Sequence, residues 1–202
     1  MTKVLRKYGA KTDKEWKKYF QKAGIAYPPE KITFLAFKKE RRLEVWAHNR
    51  KTWKYIRSFR ILGASGKSGP KLVEGDRQVP EGMYNIELLN PESSSHLSMK
   101  LNYPNSFDQK YAKREKRSKP GGNIFIHGHW VSRGCLAMGD PNIEKLFVLV
   151  ARSGKNNVRV IIAPRDFRRY RKKFRPHVYK TWVEELYKNI RRELKPFYKT
   201  KK

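Results

Sequence analysis

Thiol is the scarcest chemistry in this chain: among 202 residues there is one cysteine, Cys135. A lone cysteine excludes an internal disulfide, so no disulfide framework holds the fold. Acid is scarce too. Asp and Glu number 18 against 48 Lys and Arg, a formal net charge of +30. So large a charge attracts polyanions such as nucleic acid, anionic lipid or acidic cell-wall polymer, and by itself does not choose among them. Long apolar runs are missing: no stretch approaches the roughly 20 residues of a membrane span. The opening "MTKVLRKYGAKTDKEWKKYF" lacks the apolar run of a secretory signal. That leaves a cytosolic chain, or one from which a leader has been removed. Aromatics, by contrast, make up 13% of residues, too many for a disordered chain, and imply a packed core.

Three regions follow from the pattern: a helical arm over 1–30, a core domain over 31–165 and a basic helical extension over 166–202. In the arm, Thr12 and Glu15 have capping-box spacing, and Trp16, Tyr19, Phe20 and Ala23 share a helical face. The prolines of "AYPPE" end it. Residues 31–62 read as a meander of two or three antiparallel strands, rich in β-branched and aromatic residues. "MYNIELL", "SHLSMKL", "NIFIHGHW" and "NVRVIIAP" are further strands, and residues 102–122 a polar excursion. In "NIFIHGHW" the alternation places Phe125, His127 and His129 on one side. Asp140, as N-cap before Pro141, opens a helix that Gly154 can end. After Pro176, Val178, Trp182, Leu186 and Ile190 recur at four-residue steps, an amphipathic helix that packs on the domain or meets a partner.

The cysteine lies in "IFIHGHWVSRGCLAMGD", residues 124–140. A nucleophilic cysteine needs an imidazole to take its proton, so that the thiolate can attack. It also needs backbone N–H groups facing the developing oxyanion. His127 is the natural base, and Gly134 and Cys135 can offer backbone donors. Arg133 adds positive charge. A metal site of His127, His129 and Cys135 is the weaker rival, because no second cysteine or matched carboxylate accompanies them.

"IHG" followed by "SRGC" resembles the signature of the L,D-transpeptidase catalytic domain, the YkuD-type family, and most nearly its YafK-like murein branch, where "GC-x-AM-x-DP" follows. The segments "ASGKSGPKLVEGDRQVPEGMYNI" and "LNPESSSHLSMKLNYPNSFD" agree, so the likeness spans roughly residues 32–165. The resemblance implies a mainly β (α+β) fold: a β-sandwich-like or barrel-like sheet, a short helix after the catalytic loop, and added N- and C-terminal helices. It implies Cys135 as nucleophile, His127 as general base, and Ser132 and Gly134 in the loop shaping the oxyanion site. His129 ranks second as base. Arg133 stands where the family usually has a second histidine, and the gap from His127 to Ser132 is shorter than common.

The implied chemistry is acyl transfer on peptidoglycan stem peptides through a thioester, with hydrolysis by an endopeptidase or carboxypeptidase of the same family as the alternative. No cofactor or metal is required. Arg133 is a candidate grip for a stem carboxylate. Glu74, Asp76 and Arg77 either order their loop or touch substrate, and His96 either serves structure or borders the site. The inferred substrate places the protein in the periplasm or cell envelope, with acidic wall polymer or anionic membrane as a further contact. A reading of another class is a basic nucleic-acid-binding protein with an incidental cysteine, which the lack of any nucleic-acid module motif disfavours.

Overall fold

The computed structural model describes residues 1–170, 174–177 and 180–198. The strands are β1 (Ile32–Phe37), β2 (Arg42–His48), β3 (Trp53–Arg60), β4 (Gly82–Ser93), β5 (His96–Leu101), β6 (Phe125–His127), β7 (Leu136–Ala137) and β8 (Val158–Ala163). They form one eight-stranded mixed sheet in the order β3-β2-β1-β8-β4-β5-β6-β7. Two neighbour pairs, β1–β8 and β6–β7, are parallel. Just beyond edge strand β3, Gly63 bridges to Ala137 in the opposite edge strand β7. The Leu62 and Gly63 N–H groups donate to the Ala137 carbonyl at 2.8 and 3.2 Å, and the Ala137 N–H donates to the Gly63 carbonyl at 2.8 Å. The sheet therefore rolls toward closure, which is the barrel-like geometry expected. Closure hides both edges and brings the loop after β3 against the cysteine loop.

The helices are α1 (Ala10–Ala23), α2 (Ser106–Arg114), α3 (Asp140–Ser153) and α4 (Thr181–Leu194). Both faces of the central strands are covered, which is why β1 and β8 read as near-continuous apolar runs. Ile32, Phe34 and Ala36 join Val158, Val160 and Ile162 in one core with Trp16, Phe20 and α3 residues Leu146, Phe147 and Val150. Leu35, Phe37, Ile161 and Ala163 face a second core with Trp182, Leu186, Tyr187 and Ile190 of α4. The expected amphipathic face of α4 thus packs on the sheet. Val178, also assigned to that face, lies outside the described residues.

Three local expectations are corrected. Thr12 and Glu15 form no capping box, because helix begins upstream at Thr2–Val4 and passes through a π-turn at Leu5–Gly9. Buried Thr12 instead bonds back to the Tyr8 carbonyl at 2.7 Å. Glu15 bridges Arg57 and Lys145, tying α1 to β3 and α3. The polar excursion at 102–122 contains α2, whose capping box is Asn105 with Asp108. Finally, the N-cap of α3 is Gly139, not Asp140. The Asp140 carboxylate instead accepts the His129 N–H at 2.7 Å. Among the described residues no helix is long and apolar enough to cross a membrane.

Candidate active site

β6 and β7 run parallel with Ile126 opposite Leu136 and His127 opposite Ala137. Continued by one residue, this register sets Cys135 beside Phe125. Strand side chains alternate, so Phe125, His127 and Cys135 project to one face. Adjacent strands and a two-residue offset put the Cys135 and His127 Cα atoms on the order of 8 Å apart. A parallel pair of two-residue registers is thus what joins thiol to imidazole.

His127 is buried, at 8% exposure. Its Nδ1 lies 2.6 Å from the Gly128 carbonyl. A carbonyl only accepts, so Nδ1 carries the hydrogen and Nε2 keeps its lone pair in the neutral ring. Nε2 has no hydrogen-bond partner among the described residues. Burial pushes the imidazole below its ordinary value of 6.5 and His129 adds to the effect, while the Gly128 bond opposes it. The ring is therefore neutral near pH 7 and able to accept a proton.

Cys135 is half-buried. Its sulfur accepts the Phe125 N–H at 3.4 Å, and the thiol points at the Asn123 carbonyl, 3.8 Å away. Burial pushes the thiol above its ordinary value of 9.0; the Phe125 N–H and the charge of Lys71 act the other way without overcoming it. The resting pair is neutral thiol and neutral imidazole. No hydrogen bond joins the two among the described residues, although catalytic hydrogen bonds in substrate-free sites are commonly long and tighten with substrate bound.

The loop before the cysteine is built by two serines. Ser132 Oγ accepts the Cys135 N–H at 3.0 Å and donates to the Cys135 carbonyl at 2.6 Å. The Gly134 N–H donates to Ser65 Oγ at 2.6 Å. Both backbone donors assigned to the oxyanion are therefore engaged by hydroxyls here. A negatively charged oxygen is the stronger acceptor and can displace a neutral hydroxyl from either. Gly134 has φ of 102°, a conformation that L side chains rarely adopt, and a Cβ there would sit 3.4 Å from the Gln78 carbonyl oxygen. Gly128 is required by close approach: a Cβ would meet the Ser95 carbonyl oxygen at 2.5 Å and Asp140 Oδ1 at 2.6 Å.

The remaining candidates separate by position. β6 ends at His127, so the alternation does not carry His129 onto the thiol face. His129 is exposed with φ of 56°, and its N–H donates to Asp140 Oδ1 at 2.7 Å. That bond pins the end of β6 to the start of α3. His96 pairs through Nε2 with Glu144 of α3 at 2.8 Å and packs on Tyr8. Asp76 orders its own loop: it accepts from Lys71 Nζ at 2.6 Å and from the N–H groups of Leu72, Val73 and Gln78. Burial works to raise its pKa, but those donors hold the carboxyl below the usual carboxylate value. Arg77 is exposed, and its carbonyl accepts the Ser65 hydroxyl at 2.7 Å. Glu74 is exposed, with its N–H on the Lys119 carbonyl. Arg133 is exposed beside Val131 and Trp130, the latter 71% accessible. Among the described residues no group of three or more His, Cys, Asp or Glu is placed to hold a metal ion.

Sequence reasoning missed Ser65 and Lys71. Both sit in "ASGKSGPKLVEGD", 64 or more positions before Cys135, and no local pattern links them to it.

Comparison with known proteins bears on this arrangement. The YkuD profile, described as the L,D-transpeptidase catalytic domain, matches residues 32–162. YafK of Escherichia coli strain K12, provisionally named an L,D-transpeptidase, is 30% identical over 167 residues. That alignment covers 80% of this chain and 63% of YafK, so the chain spans less than two thirds of that relative. In fold it is similar to the helical cell shape determining protein Pgp2 from Campylobacter jejuni, with a TM-score of 0.56, 24% identity, and coverage of 70% of this chain and 50% of Pgp2. The profile takes in β1 through all but the last residue of β8, together with Cys135 and His127, and on that match the chain belongs to the YkuD family of L,D-transpeptidase catalytic domains.

Proposed function

We propose that the protein carries out cysteine-dependent acyl transfer on peptidoglycan stem peptides. The supporting observation is the shared face of Cys135 and His127, with the His127 tautomer held by the Gly128 carbonyl at 2.6 Å. The steps follow from those atoms. The thiol proton passes to His127 Nε2 as sulfur attacks a stem-peptide carbonyl. The C–N bond then breaks, and the Nε2 proton leaves with the amine. A thioester on Cys135 remains. An amine acceptor attacks it, the C–S bond breaks and the thiol is regenerated; water in place of the amine gives hydrolysis. Gly134 and Cys135 N–H groups, released from Ser65 and Ser132, hold the oxyanion, worth about 3–4 kcal/mol per donor in comparable sites.

Incubation with purified muropeptides, with products separated by mass, tests this. Cross-linked dimers identify a transferase and shortened stems a peptidase. Unchanged muropeptides would rule the assignment out. This substrate places the protein in the periplasm or cell envelope.

Arg133 is exposed on the lip of the cysteine loop, and we read it as a forked donor to a stem carboxylate. Arg133→Ala is then expected to raise KM about tenfold with kcat nearly unchanged, the pattern of lost uniform binding. Steady-state kinetics on a stem peptide and its amidated analogue check it, and equal KM values for wild type and variant would discard the role.

The acidic wall polymer fits the basic face of α4. A groove of about 980 Å³ there is lined by Arg175, Lys180, Lys188, Arg191, Arg192 and Lys195, with one carboxylate, Glu184, among them, over Phe174 and Val183. Burial depresses the Arg191 pKa and neighbouring Arg165 adds to this, a crowding of like charge that an anion relieves. Sedimentation with isolated cell walls is expected to fall steeply with added salt, and Arg191→Ala with Lys188→Ala is expected to weaken it at low salt and to flatten its salt dependence. Salt-insensitive sedimentation would remove this contact.

A further inference from the structure

Segment 61–81 carries Ser65, whose hydroxyl receives the Gly134 N–H. It has almost no regular secondary structure, so no ladder fixes its shape. A buried charge pair does. Lys38, just after β1, meets Glu81, just before β4, at 2.9 Å, with side chains 7% and 0% exposed. Lys38 Nζ donates also to the Gly69 and Val79 carbonyls at 3.0 and 2.9 Å, so all three ammonium protons are used. Glu81 Oε1 accepts a second bond from the Gly69 N–H at 2.8 Å. Its other oxygen, Oε2, accepts the hydroxyl of Tyr187 from α4 at 2.7 Å.

From Gly69 the order runs outward to the cysteine. Gln78 Nε2 donates to the Gly69 carbonyl at 2.7 Å and to the Lys67 carbonyl at 2.5 Å, while its Oε1 accepts the Lys67 N–H at 2.8 Å. Ser65 Oγ donates to the Arg77 carbonyl at 2.7 Å. The two limbs of the segment, 65–69 and 76–81, are therefore stitched together from the ion pair to the serine that holds Gly134. The His177 N–H, on the Ser68 carbonyl at 2.9 Å, adds a second tie to the C-terminal region.

We propose that Lys38, Glu81 and Tyr187 are positioning residues for the nucleophile: the buried pair, clamped by α4, sets the Ser65 limb and through it the peptide N–H that precedes Cys135. None of the three touches reacting atoms. Tyr187 lies outside the matched residues 32–162, so the C-terminal extension takes part in the site that the family domain carries. The inference rests on Cys135 being the nucleophile. A purely structural pair would lower stability on removal and leave the sulfur's reactivity alone, whereas a positioning pair alters both.

The full chain with Tyr187→Phe, Ser65→Ala and the two combined provides the test. Tyr187→Phe removes one hydroxyl and Ser65 sits on an exposed loop, so both variants should fold; Glu81→Gln is added where it does. Ser65 gives up the Gly134 N–H to the oxyanion, so its loss acts through disorder of the Gly134 peptide that outweighs the removed competition; expected for either single change is a kcat about tenfold lower with KM unchanged, and a shifted pH profile of iodoacetamide labelling at Cys135. The double variant is expected to lose no more than the larger single loss, because one continuous chain is cut at two points. Losses that multiply, or a lower melting temperature with kcat and the labelling profile both unmoved, would overturn the inference. Labelling needs no wall substrate, so failure of the peptidoglycan reading would show as absent turnover with the labelling differences intact.

Discussion

Cys135→Ala is expected to cut turnover on muropeptides by at least about 10³-fold while leaving the melting temperature almost unchanged. The size follows from mechanism: without sulfur no thioester forms, and only substrate binding and the N–H donors remain. The small stability effect follows from geometry. The turn at 132–135 is held by Ser132 and Ser65 through backbone bonds of 2.6 to 3.0 Å, and the sulfur contributes only weak contacts at 3.4 and 3.8 Å. Calorimetry and mass-resolved product analysis on the same preparation separate the two. A variant that keeps turning over would mean that the sulfur is not the nucleophile.

His127→Gln is expected to lower the rate at pH 7 by about 10²–10⁴-fold and to change the shape of the pH profile. In the wild type, burial moves the two groups apart: imidazole below 6.5, thiol above 9.0. The reactive form holds a proton on sulfur and none on Nε2. Activity is therefore lost on the acid side as His127 protonates, below 6.5, and on the alkaline side only as the thiol ionises, above 9.0. Between these limits the profile is flat. Without His127 the acid limb disappears, and the residual rate climbs with pH as thiolate forms unaided. Iodoacetamide labelling of the wild type is correspondingly slow near neutrality, contrary to what a preformed thiolate would show. A sharp optimum near pH 7 in the wild type, or an unchanged profile in the variant, would contradict the base role of His127.

Much of the architecture was legible in the chain. Strand alternation and turn residues located the meander of β1 to β3, and caps such as Gly154 located α3. The apolar runs "ITFLAF" and "VRVIIA" mark strands covered on both faces. The helix at 106–114 escaped because its surface is polar and its cap, Asn105 with Asp108, looks like loop composition. Thr12 and Glu15 misled for the opposite reason. Capping spacing also occurs inside a helix, where a buried threonine bonds back to the preceding turn.

At the site, the sequence by itself determined which groups are the candidates for the chemistry: one thiol, one imidazole followed by glycine, and a glycine before the cysteine. Only the tertiary structure decided their state. Charge and burial at Cys135 depend on Lys71, Phe125 and the walls of a half-closed site, none of which is set by spacing in the motif. Likewise only folding brings Ser65 to Gly134, 69 positions away, and Tyr187 to Glu81, 106 positions away. Local pattern encodes conformation and residue type because those act over a few residues. Protonation and positioning are decided by desolvation and by partners from distant strands, and these exist only once the sheet has closed.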